Sequence, residues 1–171
     1  SCRKEWDKAM DEGLGIGSLY MWAKLDNPMA FNKFKEDSVY DLVVSTASGE
    51  SSPYDVAQIL YKTLGREFIC VSHKQKTWYY FNNNKWELLE SPMYLKRNIS
   101  TILFKYFKGY FNKYKLEKLD EIEDKNIQGK ICKIKGNMNK LKSTSFKNNI
   151  MTECDELFYD YAQGFYKKLD E

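Results

Sequence analysis

The sequence predicts an α+β fold, mostly α, in which helices flank a small three-stranded antiparallel meander. Two observations support this prediction. Apolar residues recur every three or four positions before residue 65 and again after residue 92, as is typical of amphipathic helices. Residues 67–90 are instead rich in β-branched and aromatic residues and contain three consecutive asparagines, which predict a turn between strands.

The first part of the chain, residues 1–36, is predicted to be helical because apolar residues from Trp6 to Ala23 follow a helical spacing. Pro28 would stand at the first position of another short helix, in which Phe31 and Phe34 would face inward together. Residues 37–52 are predicted to be a linker and the boundary between modules, because their second half is small and polar with nothing to bury.

A new helix is predicted from residue 53. Ser52 is a good N-cap, Pro53 suits the first turn and Asp55 favours the positive end of the helix dipole. We expect Gly65 to end this helix in a left-handed conformation. Its apolar stripe comprises Val56, Ile59, Leu60 and Leu64.

Three strands are predicted next, at residues 68–71, 77–81 and 86–89, with a turn at residues 82–84. We expect Trp78 or Trp86 to pack on the preceding helix. One helical face then continues after Pro92, formed by Leu95, Ile99, Ile102, Leu103, Tyr106, Tyr110 and Tyr114. Residues 116–143 are expected to form shorter helical pieces or a mobile connection, and a last helix is expected from about residue 145 to 169.

Few residues are suited to catalysis. The chain has four cysteines at scattered positions and one histidine, so neither a Cys/His zinc site nor a nucleophile–base pair is predicted. His73 falls in an expected turn, and the glycines at residues 13–17 match neither a dinucleotide fingerprint nor a P-loop. No apolar run reaches the length of a membrane helix, and we expect no membrane partner. We therefore expect no catalytic residue, no metal and no cofactor in this chain, and free thiols in a reducing compartment.

Charge is distributed unevenly. Residues 91–152 hold fourteen Lys and Arg but five Asp and Glu, a net charge of +9, whereas the whole chain carries +3. All five acidic residues fall within residues 117–124. A basic segment of this kind favours a polyanion such as DNA through counterion release. The candidate nucleic-acid-binding residues are Lys96, Arg97, Lys105, Lys108, Lys113, Lys115, Lys130, Lys133, Lys135, Lys140 and Lys142.

Two readings of this segment stay open. Interleaved aromatics, including Tyr106, Phe107, Tyr110 and Phe111, could stack on bases, but their helical spacing equally fits a core. Likewise the lysines could contact DNA or form a solvated helix surface, in which case the chain would be a purely structural or oligomerising module.

Several segments resemble a known family. Residues 55–62, 68–72, 77–81 and 85–86 resemble the amino-terminal module of the superfamily 3 helicase in the poxvirus-type primase-helicase of large nucleocytoplasmic DNA viruses. Residues 15–24 and 26–28 resemble the end of the primase carboxy-terminal domain that precedes this module. Residues 143–148 and 169–171 resemble the last helix of the module. The Trp78-to-Trp86 segment is the most specific part, and residues 37–52 and 112–142 are the weakest.

The resemblance implies three parts: the helical end of a primase domain at residues 1–36, a linker at 37–52 and the helicase module at 53–171. It also implies a parent protein that works on viral DNA as a homo-hexamer, with flanking primase and helicase domains and with ATP and Mg in the adjoining helicase domain. We accordingly expect a fragment of a longer protein located in the host cell cytoplasm, at the viral replication factory. Primase carboxylates and Walker motifs are absent from the sequence, so neither activity is assigned to it.

Overall fold

A computed structural model describes residues 16–82, 85–161 and 165, and shows an α+β protein that is mostly helical. The order of elements is α1 (Ile16–Asp26), α2 (Pro28–Ser48), α3 (Pro53–Leu64), β1 (Phe68–Ser72), β2 (Thr77–Asn82), β3 (Lys85–Leu89), α4 (Met93–Asn98), a π-helical segment (Ile99–Leu103), α5 (Phe104–Glu117), a 3-10 turn (Leu119–Glu121), α6 (Lys125–Lys140) and α7 (Thr144–Leu157). The predicted fold class is confirmed. The predictions for Trp6, Met10 and Leu14 lie outside the described residues.

The chain divides into two compact units, Ser1–Ser38 and Val39–Glu171. In the first unit Asn27 Oδ1 accepts a hydrogen bond from the Ala30 backbone N–H and so caps the start of α2. The Tyr20 ring meets Phe31 edge-on, with centroids 4.6 Å apart. Phe31 is buried but Phe34 is exposed, so the prediction that both rings face inward is wrong for Phe34. Phe34 lies outside the part of the α2 surface that the Tyr20 ring covers.

Helix α2 corrects the predicted linker. It continues to Ser48, and in the second unit its residues Val39, Val43 and Ala47 are buried in the core. These side chains are spaced every four residues, so they share one face of the helix. Ser45 lies on the exposed side of the helix, whereas Thr46 is buried. Only residues 49–52 connect α2 to α3.

Helix α3 begins as predicted. Ser52 is its N-cap and accepts a hydrogen bond from the Asp55 N–H at 3.1 Å, and the predicted apolar stripe is buried. Gly65 ends the helix in a right-handed conformation (φ −61°), which corrects the left-handed expectation. A Cβ at Gly65 would lie 2.5 Å from the Tyr61 carbonyl oxygen, so glycine is favoured there by close contact.

The three strands form an antiparallel meander in the order β1-β2-β3, as predicted. Phe68 pairs with Tyr80 across β1 and β2, and Trp78 pairs with Leu89 across β2 and β3. Trp78 is fully buried in the same core as Ile59 and Leu60 of α3. The sheet is therefore anchored through its middle strand.

The helical face after Pro92 is also observed, with one change. Leu95, Ile99, Leu103 and Phe107 are fully buried, while Ile102 and Tyr106 are only partly buried beside them. The core residues follow one another at intervals of four, and the π-helical segment Ile99–Leu103 lies in the middle of this series. Residues 116–143, expected to be short pieces or mobile, form instead the 3-10 turn and the sixteen-residue α6.

The last helix is shorter than predicted. α7 ends at Leu157, although the apolar spacing suggested a continuation to about residue 169. The chain leaves the helix because its backbone pairs with β1. The Cys70 N–H donates to the Phe158 carbonyl at 2.9 Å, and the Asp160 N–H donates to the Cys70 carbonyl at 3.0 Å. Of the predicted continuation, Tyr161 is exposed and Phe165 is buried.

Candidate nucleic-acid interface

Helices α5 and α6 form an antiparallel hairpin that carries most of the candidate basic residues. Lys142 Nζ, just past the end of α6, lies 4.4 Å from the centroid of Phe104 at the start of α5. Lys130 Nζ, near the start of α6, lies 4.8 Å from the Tyr114 ring near the end of α5. Both lysines thus hold their charge over an aromatic face, which restricts where the ammonium groups can point.

One side of this hairpin is covered by the second half of α2. The Tyr40 ring packs edge-on against Tyr110 at 6.3 Å, and Lys113 Nζ lies 4.6 Å from the Tyr40 centroid. On α6, the Asn137 amide donates to the Ala47 carbonyl at 2.8 Å. These contacts place α2 along the Tyr110 edge of α5 and the Asn137 edge of α6.

The opposite side of the hairpin is open and basic. With 3.6 residues per turn, Lys108 and Lys115 point about 140–160° around α5 from Tyr110, and Lys135 points about 160° around α6 from Asn137. All three are exposed, and within the described ranges none has an ion-pair partner. Seven residues separate Lys135 from Lys142, which continues this row. We call these four lysines (Lys108, Lys115, Lys135 and Lys142) the basic face.

The remaining candidates are placed elsewhere. Lys133 and Lys140 are exposed on α6, but Lys133 is about 160° around the helix from Lys135 and so lies towards the α2 edge. Lys113 and Lys130 are held against tyrosines as described above. Arg97 and Lys105 are exposed on α4 and α5, and Lys96 Nζ donates to Asn148 Oδ1 of α7 at 2.6 Å.

The five acidic residues of segment 91–152 lie at the tip of the hairpin, and three of them make local contacts. Glu117 lies 4.0 Å from Lys113 Nζ, and Glu121 lies 2.8 Å from Lys118 Nζ. The hydrogen bond from Lys118 to Glu121 raises the pKa of this lysine. Asp124 caps α6 by accepting from the Asn126 N–H at 2.7 Å. Three of the five acidic residues are thus engaged with partners at the tip itself.

Two of the four aromatics considered for base stacking are in the core. Phe107 and Tyr110 are buried, which leaves no face for a base. Tyr106 and Phe111 are half-buried and pack on the core from its edge. Phe111 lies four residues from both Lys115 and Phe107, so it adjoins the basic face.

The described residues offer little for catalysis or metal binding. They contain no group of three or more His, Cys, Asp or Glu that could hold a metal ion. His73 is exposed in the turn between β1 and β2, with its ring 4.4 Å from that of Tyr159. Burial raises the pKa of the Cys70 thiol to about 11 and raises that of Cys154 still further, which opposes formation of a thiolate. In the part of the chain that the structure describes, no helix has the length and hydropathy of a membrane span.

One polar pair was missed by reasoning from the sequence. Lys76, in the turn after β1, forms an ion pair with the buried Asp155 of α7. The partners are 79 residues apart and neither belongs to a motif, so no local signal could reveal them.

The fold and the basic face define a mostly helical α+β module with an open lysine-bearing hairpin. The sequence matches no family model. It is 25% identical over 162 residues to a protein of Acanthamoeba polyphaga mimivirus named "Putative helicase L207/L206", and the match covers 91% of this chain and 16% of that protein. The chain is thus similar to one segment of a helicase-related protein of a large DNA virus.

Proposed function

We propose that this chain is a non-catalytic linker or collar module of a viral DNA primase-helicase, which contacts DNA through the basic face of its α5–α6 hairpin. The observation that carries the DNA contact is the row of lysines on the side of the hairpin that α2 leaves open. Similarity to a helicase-related viral protein over 91% of the chain supports the proposal that the module belongs to a viral helicase-related protein.

The charge distribution gives the physical reason for DNA contact. Affinity for a polyanion depends on local charge, because each lysine that meets a phosphate releases condensed counterions. Residues 91–152 carry a net charge of +9, and the five acidic residues of that segment lie at residues 117–124 around the hairpin tip. A DNA backbone that lay along the basic face would avoid this tip.

The coupling role is proposed from the family resemblance and from the extent of the match. The chain corresponds to 16% of its viral relative, so most of that protein lies outside the matched segment. In the proposed parent, primase and helicase domains flank this module, ATP and Mg bind in the helicase domain, and six copies form a ring. The site of action would be the virus-infected host cell, in the cytoplasmic replication factory.

A second function, a purely structural or oligomerising module, is favoured by a different surface. In the first unit Leu19, Trp22, Leu25, Met29 and Phe34 are all exposed. Exposed apolar side chains that lie this close together in sequence are typical of surfaces that other protein covers. Under this alternative the lysines of the hairpin remain solvated.

Fluorescence anisotropy of a labelled 30-nucleotide oligo(dT) tests the DNA contact. We expect binding that weakens linearly in log salt, with a slope of about −0.7 for each phosphate met. Lys108→Gln, Lys115→Gln and Lys135→Gln combined should weaken binding and flatten the slope by about 2. The matched control removes three exposed lysines elsewhere, Lys33→Gln, Lys62→Gln and Lys74→Gln, and should keep both the affinity and the slope.

Equal losses in the two triple variants would mean that only net charge matters and that the basic face is not the contact. If the chain showed no binding at low salt, the structural alternative would become the better explanation.

A further inference from the structure

A small open groove lies between the β1–β2 turn, the start of α4 and α7, and none of its lining residues belongs to the basic face. Its volume is about 220 Å³. The side chains that matter for its chemistry are Lys76, Met93, Lys96, Asn148, Met151 and Asp155. Since these come from three separate segments, the groove is a product of the tertiary fold.

One side of the groove is rich in hydrogen-bond donors. Lys76 is paired with Asp155, and Lys96 Nζ donates to Asn148 Oδ1 at 2.6 Å. Because the Asn148 oxygen accepts from Lys96, its –NH₂ group is directed away from that lysine and remains a donor. Two ammonium groups and one carboxylate leave a net charge of +1, which favours an oxyanion such as phosphate.

The backbone of Lys76 gives a second indication. Its φ is +53°, in the left-handed region that L side chains rarely adopt. Glycine or asparagine usually occupies such a turn position. Residues held in rare conformations are concentrated at ligand sites, and here the pairing with Asp155 holds an ammonium group at the groove.

The other side of the groove is apolar and adaptable. Met93 is 64% exposed and Met151 is half-buried, and both side chains reach the groove. Thioether side chains are flexible and make favourable contacts with aromatic rings. A donor-rich side next to a methionine side suits a ligand with a phosphate at one end and a flat ring at the other.

We infer that this groove binds a single nucleotide unit, with its phosphate near Lys76, Lys96 and the Asn148 amide and its base against Met93 and Met151. The inference rests on the proposed nucleic-acid function when the unit belongs to a DNA strand, but a free nucleotide offers the same chemistry. A volume of about 220 Å³ is below the range of about 300–1,000 Å³ for pockets that enclose drug-sized ligands, which suits one unit with its backbone at the rim.

Methyl NMR of the whole chain labelled with [¹³C-methyl]methionine tests this inference. The probes are oligo(dT) of ten nucleotides, thymidine monophosphate and inorganic tripolyphosphate, and resonances are assigned with Met→Leu variants. We expect oligo(dT), and thymidine monophosphate at higher concentration, to shift Met93 and Met151 through the ring current of the base. Met29 and Met138 should not move, and tripolyphosphate should produce much smaller shifts.

Variants separate this site from the basic face. Asn148→Ala should raise the Kd for thymidine monophosphate about 10–100-fold, as loss of a hydrogen bond to a charged group does. The Lys108, Lys115 and Lys135 triple Gln variant should leave that Kd unchanged while it weakens oligo(dT) binding. Shifts with the mononucleotide but not with oligo(dT) would support the groove and identify a free nucleotide as its source.

Other outcomes overturn the inference. Equal shifts with tripolyphosphate and the mononucleotide would mean that the groove binds anions without reading a base. If no probe moved Met93 or Met151 while oligo(dT) still bound in the anisotropy assay, the groove would not be a nucleotide site and the proposed function would stand. If oligo(dT) also failed to bind in that assay, the proposed DNA contact would fail as well.

Discussion

The side-chain amide of Asn137 on α6 donates hydrogen bonds to the backbone carbonyls of Ala47 and Gly49, at 2.8 and 3.0 Å. These carbonyls lie at and just beyond the end of α2, where the last turn of a helix leaves backbone acceptors without intrahelical partners. Asn137 is 3% exposed, so water contributes little to satisfying either side of this contact. The Asn137 side chain thus caps the carboxy-terminal end of α2 and holds that end against the hairpin that carries the basic face.

Asn137→Ala should therefore destabilise the chain by about 1–3 kcal/mol, since it leaves buried carbonyls without a donor. Asn137→Asp should cost at least as much, because a carboxylate cannot donate to a carbonyl. Asn139→Ala, on the exposed side of the same helix, is the matched control and should change stability by less than about 0.5 kcal/mol. Urea denaturation followed by circular dichroism measures all three, and equal effects at both positions would contradict this role.

The end of α2 also shows where prediction from the sequence succeeded and where it failed. Residues 37–52 are predicted to be a linker because their second half is small and polar, but Val39, Val43 and Ala47 have a four-residue spacing that predicts a helix. The donor that satisfies the end of this helix is some 90 residues away in sequence. By contrast the Ser52 cap and the pairing of β2 with β3 depend on residues close in sequence, and the sequence predicted both correctly, while the predicted turn residues Asn83 and Asn84 lie outside the described residues.

The candidate site was predictable in composition but not in geometry. The sequence identified eleven basic residues, yet which of them share a surface depends on the antiparallel register set by Phe104 with Lys142 and Tyr114 with Lys130. Which of these residues share an exposed surface depends also on α2, which covers the side of α5 that carries Tyr110. The early end of α7 has a similar cause, since the pairing of Phe158 with Cys70 is a tertiary contact.

Trp78 provides a test of the core of the meander. Its ring is fully buried and lies 5.6 Å from that of Phe158, centroid to centroid. Trp78→Ala should cost about 3–5 kcal/mol in chemical denaturation, as large aromatic truncations in cores do. A loss below about 1 kcal/mol would mean that the ring is not packed as described.

The indole nitrogen of Trp78 makes a second variant informative. Among the described residues, its buried N–H has no hydrogen-bond acceptor. An unsatisfied buried donor costs about 1–3 kcal/mol, so Trp78→Phe removes a penalty as well as some volume. We expect Trp78→Phe to be much less destabilising than Trp78→Ala. Equal losses would indicate that the nitrogen finds a partner in solution.

The buried thiols predict a loss of stability at alkaline pH. Burial and the nearby Asp155 raise the pKa of Cys70 from 9.0 to about 11, and burial raises that of Cys154 as well. A thiol with a raised pKa in the folded state holds its proton longer there than in the unfolded chain. Its contribution is complete below about pH 9 and is lost as the pH rises towards 11. For Cys70 the free energy of unfolding should fall by about 1 kcal/mol between pH 9 and 10.

Urea denaturation across this pH range measures the effect. Cys70→Ala should flatten the pH dependence between pH 9 and 10, whatever it does to stability at pH 7. Cys132→Ala, at an exposed position, is the matched control for removal of a thiol. Burial also raises the pKa of Cys154, Tyr80 and Tyr110, so a decline at least as large as the part removed should persist in the Cys70 variant. An identical slope in the wild-type chain and Cys70→Ala would contradict the assignment.

The π-helical segment Ile99–Leu103 explains how side chains that are spaced every four residues all remain buried in the core. Leu95, Ile99, Leu103 and Phe107 succeed one another every four residues and are all fully buried. In an α-helix each four-residue step rotates a side chain about 40° further round, so three steps would carry Leu95 about 120° from Phe107. A π-helical turn is wider and absorbs one extra residue, which keeps all four side chains on one side.

Deletion of Thr101, an exposed residue of this segment, should therefore be tolerated, because it removes the extra residue that the π-helical turn absorbs. The shortened segment would close as a regular α-helix in which Leu95 and Ile99 stand about 20° to either side of Phe107, so both stay in the core. The variant should remain folded at 37 °C. Thr101→Ala removes only the hydroxyl bond to the Arg97 carbonyl at 3.1 Å and should cost less than about 1 kcal/mol. Deletion of Asp120, in the exposed tip between α5 and α6, shortens the chain equally without shifting this core and should be tolerated. If the Thr101 deletion were largely unfolded while the Asp120 deletion melted like the wild-type chain, the π-helical turn would not be absorbing an extra residue.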